Sequence, residues 1–380
     1  MRVFSLCCIV MICCSMLSCI TYNPPKKKDL GGDLPLDSLV LPDGFKIEVY
    51  ADNVVNARSM ALSPSGTLFV GTRDEGSVYA LKDLNGNMQA DTMFTLMTKG
   101  NMPNGVAFKD GDLYVAEVNR ILKFSDVENT LGQEVEPEVV YDEYPTEKHH
   151  GWKYIAFGPD DKLYVPVGAP CNICESEDKI FNTITRLNKD GTDLEIVQEG
   201  VRNTVGFTWH PQTGELWFTD NGRDRMGNDI PSCELNRATA DFQHFGYPYC
   251  HQGDLADPEF GDKHPCADFI SPAQNLGPHV APLGCEFVGG QMFPASFGNK
   301  LLVAEHGSWN RDDKIGYRLT MVDVDGNSNA SNYQDFITGW LEEEEDDVWG
   351  RPVDMEWLPD GSLLVSDDFA DVIYRVSYEG

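Results

Sequence analysis

Short apolar triplets recur along the chain, each after a turn rich in Gly, Asp, Asn and Pro: Leu68-Phe69-Val70, Leu113-Tyr114-Val115, Leu163-Tyr164-Val165, Leu216-Trp217-Phe218, Leu301-Leu302-Val303 and Leu363-Leu364-Val365. Each follows another strand through a hairpin, as in Met60 to Gly66, Ile155 to Asp160 and Met355 to Gly361, where Pro and Gly supply the turn dihedrals. A third strand often comes next, as in Ser77 to Leu81 and Val372 to Val376. The triplets are about 45 to 60 residues apart, with one long interval between Leu216 and Leu301. That spacing predicts a blade of four short strands repeated six times around an axis, an all-β, six-bladed β-propeller. Long amphipathic helical periodicity is absent, a solenoid would repeat more regularly, and a sandwich has no need of six copies. Phe45 to Tyr50 alternates and is expected to lend a strand to the last blade and close the ring.

Polar residues follow the triplets: Gly71-Thr72-Arg73, Ala116-Glu117-Val118-Asn119, Val167-Gly168-Ala169, Thr219 to Arg223, Ala304-Glu305-His306 and Ser366-Asp367-Asp368. Equivalent strand ends in a propeller converge on one end of the axis, which makes a polar concave mouth, the default place for a ligand. The plainer expectation is that many of these side chains bond only to neighbouring blades.

The first residues bear on the compartment. Arg2 precedes an apolar run from Val3 to Leu17, which ends in Met16-Leu17-Ser18-Cys19 and is followed by the polar stretch Asn23 to Lys28. The run is too short to span a bilayer, which takes roughly 20 apolar residues. It reads as a signal peptide (1–18) with a lipobox-like site, Met16 standing where leucine is usual. The expectation is a Cys19-acylated, membrane-anchored polar linker (19–39) carrying the propeller (40–380), in the cell envelope on the periplasmic or cell-surface side. Cleavage elsewhere would release a soluble exported protein.

Of eleven cysteines, Cys7, Cys8, Cys13 and Cys14 lie in the signal and Cys19 would carry lipid. Six remain, and an even number in an oxidising compartment suggests disulfides. Cys250 and Cys266 flank a Gly/Asp/Pro loop and are expected to staple it; Cys171 and Cys174 form a second expected bridge within another loop. Cys233 and Cys285 are left as a further pair by elimination. The rival reading of Cys171-Asn172-Ile173-Cys174 as a zinc half-site has no second CxxC or His-rich segment to complete it.

With 29 basic and 61 acidic residues the net charge is −32, and no basic stripe exists to neutralise phosphates, so nucleic acid is excluded as a partner. The run Glu342 to Asp347 could attract calcium but reads as a solvated loop.

An ordered set of motifs then carries a resemblance: His149-His150-Gly151-Trp152-Lys153 before Phe157-Gly158-Pro159-Asp160, Gly200 to Phe207, Cys233-Glu234-Leu235-Asn236, Phe245-Gly246-Tyr247-Pro248, Gly277 to Pro282 and Gly350 to Asp354. In this order, over nearly all of the chain after residue 40, the set resembles the glucose/sorbosone dehydrogenase family of soluble quinoproteins. The resemblance implies pyrroloquinoline quinone and Ca2+ at the propeller mouth, a sugar or related alcohol or aldehyde as substrate, and an external electron acceptor. It implies His150 as the catalytic base, with the adjacent His149 leaving the assignment open, and a histidine suits that task because its unperturbed pKa is near 6.5. Arg202 and Asn203 match a pair that contacts the quinone, and Arg351 an arginine on its opposite side, since guanidinium forks hold carboxylates in two-bond geometry. For Arg202 a blade-to-blade salt bridge is the plainer alternative. At Asn221-Gly222-Arg223 the family pattern uses backbone carbonyls for calcium, here those of Gly222 and Arg223. His279 and His306 fall in the same mouth by repeat position, as substrate or cofactor contacts.

Three positions depart from the family pattern. Ala169-Pro170 stands where an acidic residue supports the base, and Cys233 stands where an Asp is expected; Cys285 departs as well. Asp220, Asp229 or Glu305 could substitute from a neighbouring strand. Two other functions stay open at this point: an inert propeller that binds carbohydrate or a partner protein, and a calcium-dependent, lactonase-like hydrolase built on a ring of Glu117, Asn119, Asp220, Asn221 and Asp367.

Overall fold

The computed structural model describes residues 34–289 and 291–380; Cys19, the signal segment and most of the linker lie outside the described residues. Six four-stranded units are arranged around one axis, so the six-bladed β-propeller expected from the repeat is the fold. Their first, innermost strands are Ala57–Leu62, Gly105–Lys109, Ala156–Phe157, Phe207–Trp209, Pro282–Phe287 and Pro352–Trp357. The six triplets are the second strands. Phe45–Ala51 pairs antiparallel with Val372–Tyr378 as the outermost strand of blade six, which joins the two ends of the described chain and closes the ring as expected.

The triplets are apolar at every position because both faces of each blade are covered. Side chains alternate across a strand. Leu68 and Val70 therefore enter the core shared with blade six, and Phe69 the core shared with blade two. The same division recurs at Leu113, Val115 and Tyr114, and at Leu163, Val165 and Tyr164. The core is thus six wedges, one between each pair of blades. Wedges pack closely only where inner strands carry no side chain: a Cβ on Gly206 would stand 2.1 Å from the Leu283 carbonyl oxygen of the next blade. A smaller apolar group, Val205, Leu283 and Val353 with Trp152 against it, closes the axis.

The long Leu216–Leu301 interval is an insertion between the third and fourth strands of blade four. Its Gln243–His244 strand pairs in parallel with the edge of blade three, and so covers an otherwise open edge. Cys250–Cys266 staples this insertion, and Cys171–Cys174 closes the loop after Val167, both as expected. The expected Cys233–Cys285 pair is not formed. Both are buried thiols on neighbouring blades, packed as small apolar side chains in the core between blades four and five. Packing also begins ahead of residue 40: Leu39 is buried, and Leu34 and Leu36 lie against the wedge between blades five and six. The acidic run forms a short hairpin, Leu341–Glu342 with Asp347–Val348, whose Glu343 to Glu345 tip is exposed.

Candidate functional site

The residue two places after each triplet is buried in all six blades: Thr72, Glu117, Val167, Asp220, Glu305 and Asp367. Three of the four acids among them hold loops. Glu117 accepts from the Asn101 amide and Arg120, and Glu305 from Arg318, Thr320 and Tyr333. Asp367 takes the amides of Phe369 and Ala370 and the Tyr374 hydroxyl. Asp220 takes the backbone N–H groups of Arg202 at 2.7 Å and Asn203 at 2.6 Å. Burial lifts the Asp220 carboxyl to about 6 against those bonds. These acids are taken up by bonds within the protein, but Glu305, which bonds to strands, and Asp367 bond within their own blades and not to the neighbouring ones that were expected. The ring required by a lactonase-like reading is not assembled: of its five members only Asn221 lines the mouth. Among the described residues no three His, Cys, Asp or Glu side chains converge to hold a metal ion.

The mouth itself is a cavity of about 200 Å³, and all eight residues inferred from the sequence line it: His150, Arg202, Asn203, Gly222, Arg223, His279, His306 and Arg351. His149 does not line it, which separates the two adjacent histidines. His150 is 8% exposed and has a φ of 49°, a left-handed conformation uncommon for a residue with a side chain. Its Nδ1 lies 3.0 Å from the Ala169 carbonyl oxygen. That oxygen can only accept, so Nδ1 carries the proton and Nε2 is the unprotonated acceptor. The carbonyl of Ala169 therefore orients the ring where the family pattern uses a carboxylate, without adding a charge. None of the suggested substitutes does so: Asp220 and Glu305 are spent on other partners, and the Asp229 side chain is 91% exposed, beside Arg311. Burial, and then the positive charge of Arg202, push the His150 imidazole well below its ordinary value.

Arg202 is buried, and four of its five N–H donors are taken. Its Nε donates to the Asn172 carbonyl at 2.9 Å, Nη1 to the Asn221 carbonyl at 3.1 Å, and Nη2 to Asn172 Oδ1 at 2.9 Å and Asp224 Oδ2 at 3.1 Å. The alternative of an inter-blade ion pair is thus realised for its charge, with one guanidinium edge still on the cavity wall. Asn172, inside the Cys171–Cys174 loop, also accepts from the Asp224 amide at 2.8 Å, so this disulfide loop positions the blade-four rim. The side-chain amide of Asn203 forms no hydrogen bond with the described residues and faces the cavity. The Arg223 side chain turns outward to Asp257 at 2.5 Å and Glu259 at 3.0 Å. His279 donates from Nε2 to the Gly227 carbonyl oxygen at 2.7 Å.

Opposite, Asp368 holds three side chains at once. Its Oδ2 accepts from Arg58 Nη1 at 2.7 Å, and its Oδ1 from Arg351 Nη2 at 2.9 Å and His306 Nε2 at 2.9 Å. Burial alone would raise this carboxyl, but His306, Arg351 and Arg58 outweigh it and hold it well below the usual range. Burial takes His306 down to about 4, so it is a neutral donor to Asp368. Arg58 and Trp309 also line the cavity without any motif to single them out, together with Arg73 from the strand-end set and Trp152 from the His149 to Lys153 motif. The Arg73 guanidinium lies over the Trp152 ring, 5.0 Å from its centre.

Among solved structures, the fold is similar to the holo form of the pyranose dehydrogenase PQQ domain from Coprinopsis cinerea, with TM-score 0.77 and 18% identity, covering 89% of this chain and 97% of that one. It is similar also to the calcium structure of a Trichoderma reesei carbohydrate-active enzyme of family AA12, with TM-score 0.78, 20% identity and 90% and 97% coverage. The PQQ-bound aldose sugar dehydrogenase from Streptomyces coelicolor is a third, with TM-score 0.63, 20% identity and 89% and 99% coverage. At these identities the likeness is one of fold. An uncharacterized protein of Borreliella burgdorferi is 33% identical over 355 residues, 90% of this chain and 91% of that protein. The family model for DUF7133, a domain of unknown function, matches residues 33–376, and this chain belongs to that family.

Proposed function

We propose that this protein is an exported quinoprotein oxidoreductase, which oxidises a sugar or related alcohol or aldehyde with pyrroloquinoline quinone and passes the electrons to an external acceptor. One observation carries the reading: His150, Arg202, Asn203, His279, His306 and Arg351 line a single cavity at the mouth of a propeller. The solved propellers described above, two of them named for PQQ, support it.

The quinone is an aromatic tricarboxylate, and the cavity suits it. Five arginines line the wall against one acidic residue, Asp224, itself paired to Arg202. Trp152 Nε1 is a buried donor without a partner among the described residues, a costly state unless an acceptor arrives. Arg202 and Arg351 would hold carboxylates from opposite sides. Calcium fits less well. The Asn221 carbonyl, next to the two expected carbonyls of Gly222 and Arg223, already accepts from Arg202. No acidic cage is present among the described residues, and no step below runs through the metal.

When bound, the quinone supplies a hydride acceptor. His150 Nε2 takes the proton from the substrate hydroxyl, because burial and Arg202 keep the imidazole unprotonated at neutral pH. Ala169 O fixes the ring so that this nitrogen faces the cavity. Titration of the full mature chain with the quinone, with and without calcium, is expected to give saturable binding at micromolar cofactor and bleaching on addition of sugar. Absence of binding would refute the reading and leave an inert carbohydrate- or protein-binding propeller.

The location is part of the same proposal: signal peptide 1–18, acylated Cys19, linker 19–39 and propeller 40–380, lipid-anchored in the cell envelope. The lipobox-like Met16-Leu17-Ser18-Cys19 and the two disulfides of an oxidising compartment support it. Cys19→Ser is expected to abolish partition into the membrane fraction; unchanged detergent-phase partition would discard the anchor.

A further inference from the structure

Around the mouth, the residues assigned to the cofactor belong to blades four to six: Arg202 and Asn203, then His279 and His306, then Arg351. His150 precedes blade three. The remaining arc, left for the substrate, is built by Arg58 on the first strand of blade one, Arg73 at the end of that blade's second strand, and Trp152. These side chains are chemically one-sided. A guanidinium and an indole N–H donate hydrogen bonds and accept none, whereas the hydroxyls of a neutral sugar need acceptors as well as donors.

The charges are also out of balance at depth. Arg58, 1% exposed, and Arg351 share one carboxylate, that of Asp368, so two cations face one anion. His306 stays neutral and adds nothing. Arg58 donates from Nε to Asn104 Oδ1 at 2.5 Å and from Nη1 to Asp368, while its Nη2 has no partner among the described residues. Arg73 pairs only with Asp74, whose side chain is 59% exposed, and that pair is weakened by solvent. A surplus of positive charge around the buried Arg58, in a chain of net charge −32, is costly unless a ligand brings a counter-charge.

We propose that the substrate of this site is an acidic sugar, bearing one carboxylate or phosphate that is received by Arg58 and Arg73, with the sugar ring against Trp152. The inference rests on the quinoprotein reading for the division of the mouth between cofactor and substrate.

The test is calorimetric binding of D-glucuronate, D-glucose 6-phosphate and D-glucose to the full mature protein, with and without bound quinone, for wild type and Arg73→Gln. Arg73 is the variant of choice because its one ion pair among the described residues is the exposed one with Asp74. An acidic sugar is expected to bind at least about tenfold more tightly than glucose. Arg73→Gln should remove about 10- to 100-fold of that affinity, the size of a lost charge-assisted hydrogen bond, with far less change for glucose and for the quinone. The glucuronate and phosphate arms tell carboxylate from phosphate. Equal binding of glucose and both acidic sugars overturns the proposal. So does a loss of quinone affinity in Arg73→Gln that matches the loss for the acidic sugar, since the arginine would then serve the cofactor. If the quinone does not bind at all, the quinoprotein reading fails, and an acidic-sugar preference that Arg73→Gln abolishes still establishes the anion subsite.

Discussion

Replacing His150 by alanine is expected to leave the quinone bound and to slow its reduction by substrate about 10²- to 10⁴-fold, the usual loss when a positioned base is removed. Binding survives because the carboxylates of the cofactor are held elsewhere, by Arg202 on blade four and Arg351 on blade six. Turnover falls because Nε2 of His150 is lost, and the other two histidines of the wall, His279 and His306, stand on blade five with their Nε2 donating to Gly227 O and Asp368. His149 is outside the cavity wall. His150 has φ 49°, a conformation that asparagine adopts more readily than alanine, so His150→Asn controls for backbone strain and should be equally slow. The pH profile is a second readout. With the imidazole held well below its ordinary value by burial and Arg202, the acid limb of kcat/KM should fall below pH 6.5, roughly the value of a free histidine. Stopped-flow reduction of the bound quinone measures both; wild-type rates in His150→Ala would make it a structural loop residue.

The blades were legible because their physics is local. A strand covered on both faces must be apolar at successive positions, and the hairpin turns announce themselves through Pro and Gly. The family motifs located six cavity residues and repeat position two more, His279 and His306, and all eight line it. What the sequence hid falls into two kinds. An acid at a strand end reads the same whether it caps its own loop, as Glu117 and Asp367 do, bonds to strands of its own blade, as Glu305 does, or faces a ligand; the path of the following loop decides, and that path has no sequence signature. The other kind is long-range. Arg58 lies in an ordinary strand, Ala57–Leu62, and its partner Asp368 is 310 residues away, met only because the ring closes. Asn172 is similar: the disulfide loop was expected, but not that its asparagine would grip Arg202 and Asp224. Cys233 and Cys285 show the limit of elimination, since an even count of cysteines does not bring two strands of different blades into bonding geometry.

Asp368→Ala is expected to produce the largest loss of stability, about 3–5 kcal/mol, because it strips the anion from Arg58, which stays buried, and from the part-buried Arg351. In the native protein the carboxylate meets Arg58 at 2.7 Å and Arg351 and His306 at 2.9 Å, with its own side chain fully buried. Without it the two guanidiniums confront each other across the space, and Arg351 and His306 lose the contact that aims them into the mouth. Quinone affinity should therefore fall together with stability. Asp368→Asn keeps the shape and one acceptor oxygen, and should lose less packing but the same charge. The wild-type pH dependence follows from the same cluster. His306 titrates at about 4 in the folded protein and near 6.5 when unfolded, so the unfolded chain takes up the proton first and stability drains as pH falls from about 6.5 to 4. Asp368 stays ionised well below the ordinary carboxylate value; its contribution is present above roughly pH 4 and is lost as pH falls further. Urea unfolding at pH values from 7 through 5.5 and 4 to about 2 measures the whole pattern. The variant should start lower at pH 7 and lack the loss that belongs to Asp368 itself, whereas a variant as stable as wild type at pH 7 would mean that Arg58 and Arg351 are neutralised by another group.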